Sequence, residues 1–479
     1  MSSSQLTKLF EPSTVAVVGA SANPEKTGHL VLKNLVEKYS GRIYPVNPRG
    51  GEILGLKVYR RVGEIPESVD LAVLAIPTSE VAPTLEECVK NGTRFAIVIA
   101  AGFKEAGEQG AKLEEKIVKI ARKGGIRLIG PNTIGIINGH NNLIASGVPL
   151  RSWRSSGISI VCQSGIFAGA LAAWIMTNNV MGVGKVVALG NKCDLDESDI
   201  LEYLGQDENT RVIGLHLEGI VDGRRFLKIA RKVVKKKPIV AVKAARTEYG
   251  TKAALSHTGS LAVDDKVVDA AFRQAGIIRA ENIMEMLDYL KAFEYQPLPR
   301  GSRVGLITLS GALGVLACDA CFNYGLRPAQ LSEKSLKWVK EQIMPPEIDP
   351  TNPIDVWAAL GAGPARAHAV AFEAALTDEN ADAVISILLP LRPTNHDLDQ
   401  SIGAVLSEHQ NNGKTILACL LGGEFLKPWF EKLESMGIPC YIGPDGAERA
   451  VKALSAMLRY RYIKESEELP VGDMSAVTS

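Results

Sequence analysis

The chain has 479 residues, enough for about three domains, and its 46% hydrophobic and 22% charged residues can build sizeable cores. Lysine plus arginine nearly balance aspartate plus glutamate, and a formal charge of +1 weighs against a nucleic-acid or membrane-surface protein. No basic-then-apolar leader opens the sequence, no apolar run reaches membrane-spanning length, and seven scattered cysteines suit a reducing cytoplasm rather than a disulfide framework.

From the amino terminus, apolar β-branched runs alternate with amphipathic stretches, the pattern of parallel α/β units. Strands are predicted at Thr14–Val18, Arg42–Val46, Leu71–Ile76, Phe95–Ala100 and Arg127–Ile129, with helices near Gly28–Tyr39, Glu80–Asn91 and Glu108–Lys123. The runs lack alternation, as expected of strands covered on both faces. Gly19-Ala20-Ser21 follows the first strand, but the G-x-G-x-x-G spacing is missing. The second strand ends in Val46-Asn47-Pro48-Arg49 instead of an acid. An arginine there suits a phosphate on the ribose, which leaves NADP and coenzyme A both open. Ala75-Ile76-Pro77 and Ala100-Ala101-Gly102-Phe103 close the next two strands, where open sheets bind ligands. The region ends at Gly130-Pro131-Asn132-Thr133-Ile134-Gly135, and Gly139–Ser156 reads as an irregular linker.

A second unit has predicted strands at Ile158–Cys162, Lys185–Leu189, Val212–Leu217 and Ile239–Lys243. Arg231-Lys232 and Lys235-Lys236-Lys237, just before Pro238, read as a solvated helix end. After a Pro-rich boundary at Pro297-Leu298-Pro299, a third unit has strands at Arg303–Leu309, Ala383–Leu389, Thr415–Cys419 and Cys440–Ile442, and a last helix at Gly446–Arg461. Units two and three look like distant copies. Each opens with a strand that stops at Ser-Gly and runs into a small-residue helix: Gln163-Ser164-Gly165 into Ile166–Asn178, and Ser310-Gly311 into Ala312–Tyr324. Each later carries an Asn-x-x-Asp step, at Asn191–Asp194 and Asn352–Asp355. Two such helix starts aimed at one point would hold phosphate on unpaired N–H groups.

Leu255-Ser256-His257-Thr258-Gly259-Ser260 is expected to be a loop, with a helix starting near Val263-Asp264. His257, framed by small hydroxyl residues, could carry a phosphoryl group, with Glu218 at the end of Val212–Leu217 holding the other ring nitrogen. A serine-hydrolase reading fails because Gln163-Ser164-Gly165 lacks the G-x-S-x-G elbow. Cys318 and Cys321 form a C-x-x-C inside a predicted helix, where packing is the favoured reading. His29, His140, His216, His368, His396 and His409 show no ligand spacing, so no metal is expected in this chain.

As an ordered set, these motifs resemble the α subunits of ADP-forming acetyl-CoA synthetases, within the succinyl-CoA-synthetase-like superfamily of acyl-CoA ligases. The resemblance implies an α/β fold: an N-terminal Rossmann-like CoA-binding domain at 1–140, a flavodoxin-like ligase domain with a phosphohistidine loop at 150–297, a second flavodoxin-like ligase domain at 300–463, and a polar tail at 464–479. It implies reversible conversion of acetyl-CoA, ADP and phosphate to acetate, ATP and CoA through an acyl phosphate and a phosphohistidine. CoA would bind at Gly19, Ala20, Ser21, Lys26, Val46, Asn47, Arg49, Ile76, Pro77, Ala101, Gly102 and Asn132. Phosphate would bind at Gln163, Ser164, Gly165, Ser310, Gly311 and Ala312; His257 and Glu218 would be catalytic; and Ile166, Phe167 and Trp357 are candidate walls for the acyl group. The sequence holds no G-x-x-x-x-G-K-[ST] loop and no span left over for an ATP-grasp domain. ADP, ATP and Mg²⁺ are therefore expected on a separate ATP-grasp β chain, in an α2β2 assembly. A non-catalytic CoA-sensing module and an NADP-dependent oxidoreductase are the alternatives.

Overall fold

A computed structural model describes residues 6–150, 153–178, 180–258, 264–390, 396–409 and 412–466, with backbone alone at 255–258 and 396–400. The chain divides into two compact units, Met1–Glu281 and Asn282–Ser479.

The first unit contains two large sheets. One is five-stranded and parallel, in the order Arg42–Val46, Thr14–Val18, Leu71–Leu74, Phe95–Val98, Arg127–Ile129. Its three central strands are buried at every residue, which explains their unbroken apolar runs. The third and fourth strands stop two residues short of prediction, so Ala75-Ile76 and Ile99-Ala100 fall in the loops at the carboxyl edge.

The other sheet has seven strands. Ile278–Arg279, Ile239–Lys243, Val212–Leu217, Ile158–Cys162 and Lys185–Ala188 run parallel, and the hairpin Gly135–Asn138 and Leu143–Ser146 joins antiparallel at the Lys185–Ala188 edge. The expected linker at Gly139–Ser156 is thus corrected, because its first part turns and returns as a strand. Both hairpin strands are fully buried, so their burial shows no period of two.

The second unit holds Arg327–Pro328, Arg303–Thr308, Ala383–Leu388, Thr415–Leu420 and Cys440–Ile442 in that order, with Ile354–Asp355 paired to Ile307 and Thr308. Helix Ile283–Tyr295 belongs to this unit. Lys291 Nζ donates to Cys440 O at 2.8 Å, and Arg449 grips both Asp288 carboxylate oxygens at 2.7 Å. The unit therefore starts before Pro297-Leu298-Pro299, which is a connection inside it: Thr415 Oγ1 donates to Pro297 O at 2.7 Å.

The parallel part of each large sheet is wound alike: its opening strand, Thr14–Val18, Ile158–Cys162 or Arg303–Thr308, lies between parallel neighbours that both follow it in the chain. In such sheets the crevice lies beyond the carboxyl ends at that reversal. The two Asn-x-x-Asp steps do not coincide, however. Asn191 follows Lys185–Ala188, the last parallel strand on that side, whereas Asn352 leads into Ile354–Asp355, one of two short pieces that divide the corresponding position.

Candidate functional site

In the first sheet the reversal lies at Gly19, whose φ is +89°. A Cβ there would sit 2.2 Å from Ala75 O, and one at Gly28 would sit 2.0 Å from Gly19 O. Only glycine lets the turn and the start of helix Thr27–Lys38 close up in this way. Val46 O ties the turn down, accepting from Gly19 N at 2.9 Å and Ala20 N at 3.2 Å. Asn47 bridges it, donating to Ala20 O at 2.9 Å and accepting from Arg49 N at 3.0 Å.

The result is a cavity of about 550 Å³ lined by Gly19, Ser21, Lys26, Asn47, Arg49 and Ile76, all anticipated, and by Asn23, Thr27, Gly28, Ala75, Ile99 and Ala100. Two exposed cations, Lys26 and Arg49, stand on this wall beside a helix amino terminus, a donor set that suits phosphates. Ala20 and Val46 are buried behind it. Pro77 precedes helix Thr78–Asn91, Ala101 O accepts from Thr78 Oγ1, and Gly102 N donates to Glu105, so these three shape the rim.

A second cavity, of about 350 Å³, opens at the carboxyl end of Ile158–Cys162. Asn132, Thr133, Ile134, Gln163, Ser164, Gly165, Ile166, Gly190 and Asn191 line it, together with Ile99, which also lines the first cavity. Ile99 therefore borders both cavities, which lie side by side. Helix Gly165–Thr177 starts here with no side-chain cap on Ser164. The first-turn amides of Gly165 and Ile166 thus lack intrahelical partners. A Cβ on Gly165 would press to 2.8 Å from Ile134 N, and one on Gly169 to 2.2 Å from a Val148 methyl, so small residues let this helix sit tight. Ile166 is 77% exposed, whereas Phe167 packs at a tilt of 46° against His216 with centroids 4.8 Å apart. Burial holds the His216 imidazole below its usual range.

Asn191 joins the cavities to the first sheet. Its amide nitrogen donates to Glu105 at 2.5 Å and Glu114 at 2.9 Å, which fixes the orientation of the amide. Burial raises the Glu114 carboxyl. On Glu105 burial also works upward, but the Asn191 amide and the Gly102 N–H outweigh it and hold that carboxyl low. Sequence reasoning missed this trio, because nothing local marks three residues that meet from 77 to 86 positions apart.

Glu218 is nearly buried and follows Val212–Leu217 directly. Lys243, in register with Leu217, sits beside it; burial lowers its ammonium pKa, and its Nζ donates to Ala244 O. His257 lies in the last turn of helix Glu248–Thr258, correcting the expected loop: Tyr249-Gly250-Thr251-Lys252-Ala253-Ala254-Leu255 continues helically through it. That helix runs beside the Lys104–Ala106 turn, next to Glu105. The His257 side chain, Gly259 and Ser260 lie outside the described residues, and helix Asp265–Ala275 begins at an Asp264 cap.

In the second unit, helix Gly311–Asn323 starts at Ser310, again without a side-chain cap. Here a Cβ on Gly311 would meet Asp355 Oδ2 at 3.3 Å, so a carboxylate stands at this helix start. Asp355 Oδ1 accepts from Trp357 N, and Trp357 itself is exposed. Cys318 and Cys321 lie in this helix as free thiols that burial raises. Lys237 differs from the solvated end expected of it, since its Nζ donates to Leu204 O and Asp207 O. Among the described residues, no group of three or more His, Cys, Asp or Glu is placed to hold a metal, and no helix is long and apolar enough to cross a membrane.

Comparison with known proteins fits this geometry. Residues 13–139 match the CoA binding domain family, and residues 155–293 match the succinyl-CoA ligase like flavodoxin domain. Of the two nucleotides that Arg49 left open, the first match selects CoA. The chain is 41% identical to the acetate–CoA ligase [ADP-forming] II subunit alpha of Pyrococcus furiosus, over 93% of this chain and 96% of that protein. It is 40% identical to the acetate–CoA ligase [ADP-forming] I of Archaeoglobus fulgidus, over 96% of this chain but 64% of that longer protein. A solved structure of Ca. Korarchaeum cryptofilum acetyl-coenzyme A synthetase 1, in complex with phosphate and ADP, superposes with a TM-score of 0.89 at 35% identity, over 96% of this chain and 97% of that one. Two matched domains and relatives alike over nearly their whole length lead to one conclusion: the chain belongs to the family of ADP-forming acetate–CoA ligase alpha subunits.

Proposed function

We propose that the chain performs the acyl-CoA half of the reaction acetyl-CoA + ADP + phosphate ⇌ acetate + ATP + CoA, completed by a separate ATP-grasp β chain in an α2β2 assembly in the cytoplasm. One observation carries this reading: Ile99 borders both cavities, so the cavity of Arg49 and Lys26 lies next to the Ser164–Gly165 helix start. There a phosphate oxygen attacks the thioester carbonyl carbon, the C–S bond breaks, and CoA leaves as its thiolate. The free amides of Gly165 and Ile166 meet the charge that develops.

A ring nitrogen of His257 then attacks phosphorus, and the P–O bond to acetate breaks, releasing acetate. Glu218 holds the other ring nitrogen, which keeps the imidazole oriented and its charge compensated. The phosphoryl group passes on to ADP, with Mg²⁺ supplied on the partner chain. The reading is tested by incubating the complex with acetyl-CoA and radioactive phosphate. The native chain should take up acid-labile, base-stable label, and His257→Asn should take up none. Undiminished label in that variant overturns the assignment.

A further inference from the structure

Behind the Ser164–Gly165 turn lies a buried cluster that none of the sequence motifs explains. Lys192 has a φ of +59°, a region long side chains rarely adopt. Its ammonium donates to Gln163 Oε1 at 3.0 Å and to Gly219 O at 2.8 Å, and it forms an ion pair with Glu197, whose Oε2 lies 2.9 Å away. Gln163 Oε1 also accepts from Glu218 N at 3.0 Å and Gly219 N at 3.1 Å. Glu197, fully buried, spends its other oxygen on Val221 N at 2.7 Å. The three side chains thus grip one backbone segment, Glu218 to Val221, at four polar atoms.

Stability alone is a poor reason for such an arrangement, because a buried ion pair seldom improves on apolar packing. What the cluster does achieve is a fixed relation between two parts of the site. Gln163 immediately precedes Ser164, and the gripped segment begins at Glu218. We infer that Lys192, acting with Gln163 and Glu197, is a positioning residue that locks the Glu218 segment to the phosphate-binding helix start, so that both keep one geometry during phosphoryl transfer. The inference rests on the role proposed above for Glu218.

The test uses the chain complexed with its partner and reads the rate of label uptake from radioactive phosphate and acetyl-CoA. In the pair Lys192→Met with Glu197→Gln, both buried charges go together, and an oxygen remains for Val221 N. Labelling should slow on the order of 100-fold, as expected of a displaced catalytic group, with the KM for phosphate little changed. In a Glu218→Gln background the same pair should slow labelling no further, because it acts through Glu218. The inference is overturned if the pair slows labelling by the same factor in both backgrounds, or if the loss appears wholly in the phosphate KM. CoA titration verifies that the variants are folded. Should the pair not fold, Lys192→Arg keeps a charge beside Glu197 with different donor geometry and carries the same expectation through the same cycle. Label surviving His257→Asn would instead remove the proposed reaction, while full labelling by Glu218→Gln would remove the Glu218 role and this inference with it.

Discussion

Arg49 stands in the nucleotide cavity because of what surrounds it, not because of a motif. Strand Arg42–Val46 ends, Asn47 accepts from the Arg49 amide, and the guanidinium is left exposed at the cavity wall. If it meets the 3′-phosphate of CoA, Arg49→Ala should weaken CoA binding by about 1.5–3 kcal/mol, roughly tenfold to a hundredfold. Dephospho-CoA, which lacks that group, should bind both forms alike. Calorimetric titration with the two ligands checks this, and an equal loss for both would move Arg49 away from the 3′-phosphate. Apart from Lys26, which leads into helix Thr27–Lys38, the anticipated residues that line the cavity were legible because each sits within a few positions of a strand end, where open sheets place ligands. Glu105, Glu114 and Lys192 were not, and Asn191 showed only as the start of an Asn-x-x-Asp step. Their meaning lies in long-range pairings, and a lone Asn or Lys after a strand has none by itself.

Elements were easier to read than side chains wherever an apolar run was long and bounded, as at Ile158–Cys162, Val212–Leu217 and Ile239–Lys243. The hairpin was missed although Gly139-His140-Asn141-Asn142 separates two apolar runs, a usable turn signal. The same scale gives a pH prediction. Helix Pro364–Thr377 turns His368 onto strand Ala383–Leu388, where Nε2 pairs with Ser386 Oγ at 2.9 Å and the ring is 2% exposed. Burial pushes its pKa down to about 4. The unfolded chain, with an ordinary value of about 6.5, therefore binds the proton first as pH falls. This contribution to stability is complete above about pH 6.5 and is lost progressively toward about pH 4. Between about pH 7 and about pH 5 the loss amounts to about 2 kcal/mol. In His368→Gln, urea unfolding should show a pH slope flatter by that amount, even though the variant starts from a lower stability. Parallel slopes would mean that the folded ring takes up its proton at the same pH as the unfolded chain.

At the scale of the whole molecule, one winding is used three times, and each sheet offers its carboxyl edge to a different task. The first edge forms the nucleotide cavity, and the second opens the cavity at Ser164. The third carries a matching helix start at Ser310. Among the described residues, no cluster of three or more His, Cys, Asp or Glu is placed to hold a metal beside these edges. The chain spans 96% of the Pyrococcus alpha subunit but 64% of the Archaeoglobus protein, so relatives exist both with and without a further third of sequence. If that third holds the ADP site, the isolated chain should bind CoA yet make no ATP from acetyl-CoA, ADP and phosphate. Titrating in the partner chain should restore ATP formation and saturate at equal amounts of the two chains, since each alpha chain serves one nucleotide site. The measurement is ATP yield against added partner at fixed chain concentration. ATP formation by the pure isolated chain would place the nucleotide site within these two units and refute the division of labour.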